Sequence, residues 1–169
     1  MPIVMSDMKL RTLFLEDLKE QVPEEFWGNQ GAGILFLAHN TGRILLTLRS
    51  ADVNEPHTWG LVGGKIDPKE SPARAARREA REELGYRGKI ENLIPAYTFQ
   101  TKGFKFHNFI GIVPNEFAFT LDHENDDAKW FDIEELPSPL HFGLEHLFQN
   151  AKHIIKDLID EKRKQHAGT

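Results

Sequence analysis

The stretch from Gly64 to Tyr86, GKIDPKESPARAARREAREELGY, constrains this chain more than any other. Ser71-Pro72 reads as a helix start, because serine caps a first turn and proline is tolerated at the first helical position. The helix is predicted to run to about Leu84, where Gly85 suits the left-handed position that closes it. At helical period, Ala73, Ala76, Ala80 and Leu84 form one stripe, small enough for a sheet to approach closely. Glu79, Glu82 and Glu83 stand at i, i+3 and i+4 on the adjacent sector, with Ala75 among them. Arg74, Arg77, Arg78 and Arg81 take the remaining side. A solvated charged helix is the plain explanation of such a stretch. Like charges four residues apart argue against it, since they cost a surface helix roughly 0.2–0.5 kcal/mol. Carboxylates gathered on one face need a cation, and a divalent metal bound to a phosphate is the obvious one. Gly63-Gly64 permits a tight turn just before the helix, and Glu70 lies near its N-terminus. Magnesium is held by a few carboxylates plus substrate phosphate, which such a loop and helix would supply.

Composition narrows the alternatives. The chain has 169 residues, 40% of them hydrophobic, which is enough for one domain with a core. It has no cysteine, which removes disulfides, thiolate zinc sites and a cysteine nucleophile. The expected setting is a reducing cytoplasm. No apolar run is long enough to span a membrane, and the opening MPIVMSDMKLRTLF lacks the pattern of a signal peptide. Net charge is −5, and the densest basic run, Lys162-Arg163-Lys164, reads as a solvated helix end. A nucleic-acid polymer is not expected as the partner.

The chain carries no internal repeat. Leu13, Phe14 and Leu18 predict a short helix over 12–21, stopped by Pro23. Strands are predicted over 31–38 and 43–49, joined by the Asn40-Thr41-Gly42 turn, followed by a polar loop over 50–58. Further strands are predicted over 90–100 and 105–113 around Gly103, and a short one over 129–132. A helical turn is expected over 133–136, closed by Pro137. A terminal helix is expected over 142–162. Its apolar stripe is Leu144, Leu147, Phe148, Ala151, Ile154, Ile155, Leu158 and Ile159, serving the core or a homodimer contact. Strands mixed with a central and a terminal helix predict a sheet covered on both faces, an α/β class of fold.

Gly64, Glu70, Arg78-Glu79-Ala80, Glu82-Glu83 and Gly85-Tyr86 together resemble the Nudix box, Gx5Ex7REUxEExGU, with U a bulky apolar residue. Every fixed position agrees; Ala80 and Tyr86 depart only at the U positions. Trp59-Gly60-Leu61-Val62-Gly63-Gly64 is similar to the family's approach to the box, with Val62 in place of a frequent proline. Lys129-Trp130-Phe131-Asp132 through Leu136-Pro137 is similar to a late family segment. The resemblance covers about residues 31–160 and implies a single Nudix domain over 1–169, with 1–30 as an N-terminal extension. It implies an α/β/α sandwich with a mixed sheet. It also implies hydrolysis of a nucleoside diphosphate linked to another group, with Mg²⁺ or Mn²⁺ as cofactor. Glu79, Glu82 and Glu83 would hold the metal, with the Gly64 carbonyl as an additional ligand. Glu70 and Arg78 would orient loop and helix by pairing with each other.

Metal ions would neutralise the pyrophosphate, activate a water and stabilise the leaving phosphate, while a carboxylate takes the water's proton. Family members draw that base from the box or from a late loop. Here the late loop is His123-Glu124-Asn125-Asp126-Asp127. Glu124, before Trp130, is the candidate base or accessory ligand, against a plain polar turn; Asp126 and Asp127 are weaker candidates. Arg49 either reaches a substrate phosphate or makes a surface ion pair. Trp59 reads as an anchor. Phe99, Phe104, Phe106 and Phe109 read as core or as a nucleobase platform. His57, His107 and His141 lack metal-ligand spacing.

Markers that the family associates with substrates do not decide. Pro95 comes too early for the ADP-ribose proline, and Tyr97 too early for the dinucleoside-polyphosphate tyrosine. The NADH-type array is absent. ADP-ribose, dinucleoside polyphosphates, nucleotide sugars and nucleoside triphosphates all remain open. A non-catalytic nucleotide sensor is the alternative, although such domains lose box glutamates. An isoprenoid-diphosphate isomerase would need a cysteine.

Overall fold

The computed structural model describes residues 29–101 and 103–167. The helix expected over 12–21 lies outside the described residues. The elements run β1 (Asn29–Ala38), β2 (Ile44–Arg49), β3 (Trp59–Gly60), β4 (Val62–Lys65), α1 (Pro72–Leu84), β5 (Asn92–Thr101), β6 (Phe104–Val113), β7 (Asn125–Phe131) and α2 (Phe142–Ala167). The strands make one seven-stranded mixed sheet.

Strand β1 is its spine. One edge pairs in parallel with β6 along its whole length, from Asn29↔Phe104 to Ala38↔Val113. The other edge forks. Strand β2 pairs with β1 only at Leu37↔Ile44, beside the turn where Gly42 takes a φ of 73°. Strand β4 takes over that edge at Gly31↔Lys65 through Ile34↔Val62. Strand β3 pairs with β2 at Thr47↔Gly60 and Leu48↔Trp59. Residues 59–65 therefore cross from one branch to the other through Leu61.

Alternation along the strands divides the core in two. Ala32, Ile34, Phe36 and Ala38 face α1, with Leu45, Val62, Phe109 and Val113 and the helix residues Ala75, Ala76, Ala80 and Leu84. Leu35 and Leu37 face the opposite way, with Ile44, Leu46, Ile110, Ile112 and the α2 residues Leu144, Leu147, Phe148, Ala151, Ile155 and Ile159. The expected α/β/α layering is present. The α2 stripe lies in the core, except that Ile154 is exposed at 37%, because its position turns it away from the sheet. The helix also runs past the expected Lys162.

Two further expectations need correction. Strand β7 starts at Asn125, not Lys129, because it pairs with β2 from Ile44↔Phe131 to Arg49↔Asn125. Asn125, Asp126 and Asp127 thus belong to a strand rather than a loop. Over 133–136 the chain makes a turn, closed by the Glu135 amide donating to the Asp132 carbonyl at 2.9 Å, not a helical turn.

Candidate functional site

Helix α1 begins as its sequence predicts. The Ser71 hydroxyl accepts from the Arg74 amide at 3.2 Å, and Gly85 adopts φ 69° with its N–H bonded to the Arg81 carbonyl. Its buried side is rotated from the expected alanine stripe. Ala75, Ala76, Glu79, Ala80, Glu83 and Leu84 are all buried. Two of the glutamates therefore point inward beneath β4, while Glu82 keeps 55% of its side chain exposed against 11% for Glu79.

Gly63 and Gly64 sit within β4 rather than in a turn, and neither has a positive φ. They are small because of what approaches them. A Cβ on Gly64 would lie 2.5 Å from Glu79 Oε1, and one on Gly63 2.6 Å from the Ala32 carbonyl oxygen. The Gly63 amide donates to Glu83 Oε2 at 2.8 Å, which fixes that carboxylate at the strand.

Arg78 ties the loop to the helix. Its Nε donates to Glu70 Oε2 at 2.9 Å and its Nη2 to Glu70 Oε1 at 3.0 Å, a forked pair. Nη2 also donates to the Lys65 carbonyl at 2.8 Å. Nη1 reaches Glu79 Oε1 at 3.0 Å and Glu82 Oε2 at 3.2 Å. Glu70 in turn accepts from the Asp67 amide at 3.0 Å. The fork holds Glu70 below the usual carboxylate range and Arg78 firmly charged. The pairing implied for these two residues is present.

The late carboxylate meets the helix. The Thr120 amide donates to the Leu84 carbonyl at 2.9 Å and the Asp122 amide to the Glu83 carbonyl at 3.3 Å, so the end of α1 holds this segment. The Asp122 side chain accepts from the Glu124 amide at 3.1 Å. The Ser50 amide donates to the Glu124 carbonyl at 2.9 Å, and its hydroxyl to the His123 carbonyl at 2.8 Å. So anchored from both sides, Glu124 comes up against Glu83. Burial, then the Glu79 charge and the Glu124 contact, push Glu83 well above the usual range. Burial pushes Glu79 up to about 7 against the pull of Arg78, with Glu82 and Glu124 adding to the rise.

Arg49 closes the cluster from β2. It is half-buried, which lowers its pKa, while Glu83, Glu124 and Glu55 face it. Its Nε donates to the Asn54 carbonyl at 2.7 Å. The fold thus gathers Glu79, Glu83, Glu124 and Arg49, with Glu82 at the rim. Asp127 instead caps the Ala128 amide at 2.8 Å and pairs with Lys129 at 3.7 Å.

Several of the other aromatics and histidines have packing or hydrogen-bond partners. Trp59 packs edge-on against Phe131 at 5.2 Å, and Phe99 and Phe109 are buried. His107 bonds Gln30 at 2.8 Å. His141 Nε2 lies 3.3 Å from a Glu55 oxygen; within the polar loop over 50–58 nothing in the sequence distinguishes this acid from its neighbours.

Among the described residues, no three acidic or imidazole groups form a ready metal cage. A magnesium ion does not require one, since it is bound by one or two carboxylates with waters and phosphate oxygens. The donors present are hard oxygens, and Glu83 lies among acidic neighbours while accepting from the Gly63 amide. That chemistry fits a divalent cation.

The NUDIX domain family model matches residues 29–151. The chain is 32% identical over 94 residues to the CTP pyrophosphohydrolase of Escherichia coli (strain K12), spanning 56% of this chain and 70% of that protein. It is 33% identical over 133 residues to an RNA pyrophosphohydrolase of Bartonella tribocorum, spanning 63% and 77%. A MutT NUDIX hydrolase from Burkholderia pseudomallei aligns with a TM-score of 0.59 at 25% identity, over 72% of this chain and 96% of that one. RenU, a Nudix hydrolase from M. smegmatis, shares the fold with a TM-score of 0.66 at 21% identity, over 76% and 86%.

Proposed function

The chain belongs to the Nudix hydrolase family, and from that membership we propose that it hydrolyses, with a divalent metal, the pyrophosphate linkage of a nucleotide. The substrate class is a nucleoside diphosphate joined to a further group: phosphate, a sugar, ribose or a second nucleoside. The observation that carries this reading is the buried junction of Glu83 with Glu79 and Glu124, facing Arg49.

Glu79, Glu82 and Glu83 would hold Mg²⁺ or Mn²⁺, with the Gly64 carbonyl as an additional oxygen. When bound, the metal supplies charge neutralisation at the phosphates and a more acidic water. The protein's own residues do the rest. Arg49 binds a phosphate oxygen. Arg78 and Glu70 hold the helix and loop in register. The Glu124 carboxylate, beside Glu83, accepts the proton of the attacking water as the phosphorus–oxygen bond to the leaving phosphate breaks. Glu124 is the base in this reading.

Relatives named for CTP, for RNA and for 8-oxo-dGTP support a nucleotide substrate. The test is a substrate panel with Mg²⁺ and Mn²⁺, reading nucleotide products: nucleoside triphosphates, ADP-ribose, diadenosine polyphosphates, nucleotide sugars and NADH. At least one is expected to yield a nucleoside monophosphate. E124Q should lower kcat about 10²-fold, the scale of general-base catalysis. Binding without turnover of any member would support the sensor reading instead.

A further inference from the structure

The loop over 50–58 is built around Arg49. The Arg49 amide donates to the Thr58 carbonyl at 2.9 Å, and the His57 amide to the Arg49 carbonyl at 2.8 Å. The loop's tip returns to the Arg49 side chain through the Asn54 carbonyl at 2.7 Å. Next to Asn54, Glu55 takes a φ of 48°, and His57 follows with 61°. A residue other than glycine rarely adopts that backbone conformation without an external hold.

The hold is the Glu55 carboxylate. Its Oε2 accepts from the Phe142 amide, the first residue of α2, at 3.0 Å. The same oxygen lies 3.3 Å from His141 Nε2. The Gly143 amide donates to His141 Nδ1 at 3.0 Å, which leaves Nε2 as the ring nitrogen facing Glu55. The Glu55 carbonyl accepts from the Thr58 hydroxyl at 2.8 Å. One carboxylate therefore joins the loop to a helix start, where negative charge is favourable. It stands among the charges facing Arg49.

We propose that Glu55 is a positioning residue, latching the 50–58 loop to α2 so that the Asn54 carbonyl holds the Arg49 guanidinium against Glu83 and Glu124. This rests on reading Arg49 as the phosphate-binding residue. Releasing the latch leaves the guanidinium intact but free to swing, so substrate must order it on binding.

The test is a cycle of E55A, E55Q, R49A and E55A/R49A, with steady-state kinetics on the best panel substrate. E55A should raise KM about tenfold, the cost of ordering one long side chain, with kcat little changed. E55Q keeps an acceptor for the Phe142 amide and should restore KM to within about twofold. In the R49A background E55A should add nothing. Equal effects of E55A in both backgrounds, or none in either, overturn the proposal. A second readout is independent of turnover: the Arg49 Nε–Hε NMR resonance, assigned by its loss in R49K. It should be protected from solvent exchange in the wild type and exposed in E55A. An inactive wild type with that protection refutes the hydrolase reading and leaves the latch standing. Protection unchanged in E55A refutes the latch alone.

Discussion

The Glu79 carboxylate occupies the space that a side chain at Gly64 would need, with Oε1 2.5 Å from the position of its Cβ. Glycine is required there for approach, not for backbone conformation. G64A should therefore push Glu79 aside by a fraction of an ångström while sparing the β1–β4 pairing. The expected result is a fall in kcat of about 10²-fold, the scale of a small misplacement in a catalytic site. Circular dichroism and the melting temperature should stay near wild type. A large loss of fold would place the cost in the strand instead.

Glu83 opposes stability in the absence of metal. It is buried among acidic neighbours, so an isosteric neutral group relieves repulsion while still accepting from the Gly63 amide. E83Q should melt higher than wild type in EDTA, by about 2–4 °C for each kcal/mol relieved. Turnover should drop by about 10²–10⁴-fold. Calorimetry in EDTA and in excess Mg²⁺ checks both halves, since metal should raise the wild type more than the variant. A lower melt in EDTA counts against a repulsive cluster.

Arg78 serves Glu70, Glu79, Glu82 and the Lys65 carbonyl at once. Lysine preserves the charge but not the fork. R78K is expected to lose at least about tenfold in kcat/KM and to need more Mg²⁺ for half-maximal rate, because loop and helix no longer hold one register. Titrating activity with Mg²⁺ reads this directly. Wild-type metal dependence in R78K would mean that charge alone suffices.

His141 gives stability a pH dependence. Burial, and then the Arg49 charge, lower it to about 3 from its ordinary 6.5. Between those values the unfolded chain binds the proton and the folded chain does not. The His141 contribution is thus fully present above about pH 6.5 and is lost as pH falls toward 3. The slope is at most about 1.4 kcal/mol per pH unit, reduced by partial exposure and by the facing Glu55 carboxylate. H141N, which keeps an acceptor near Nδ1, should flatten the stability curve between pH 4 and 6. Urea melts across that range measure it, and parallel curves would sink the assignment.

What the sequence revealed was local. Helix α1 with its Ser71 and Gly85 caps, the Glu70–Arg78 pair and the shared sector of the three glutamates all depend on spacing within one segment, whereas the inward turn of Glu79 and Glu83 does not show there. Glu124 was found by its distance from Trp130, but not the reason it reaches Glu83. That reason is the tethering of its turn to Ser50 and to the end of α1, contacts between distant segments. The extension of β7 through Asn125–Asp127 was hidden because polar residues on an alternating strand resemble a loop. Strands β3 and β4 were too short and glycine-rich to show periodicity. Gly64 looks like a turn former in the sequence, because a sequence does not display which carboxylate will lie against it. Glu55 and His141, 86 positions apart by their numbers, meet only because α2 starts beside β3.

The forked edge of β1 has a consequence for how such a molecule can diversify. One prong, β4, is bound to the glutamate helix; the other, β2, carries Arg49 and the 50–58 loop. Leu61 is the hinge piece between them. Substitutions that open or narrow the angle of the fork would change the spacing between guanidinium and carboxylates without altering any of those side chains. Phosphate chains of different length could then be selected by the aperture of a scaffold, leaving the hydrolytic apparatus untouched.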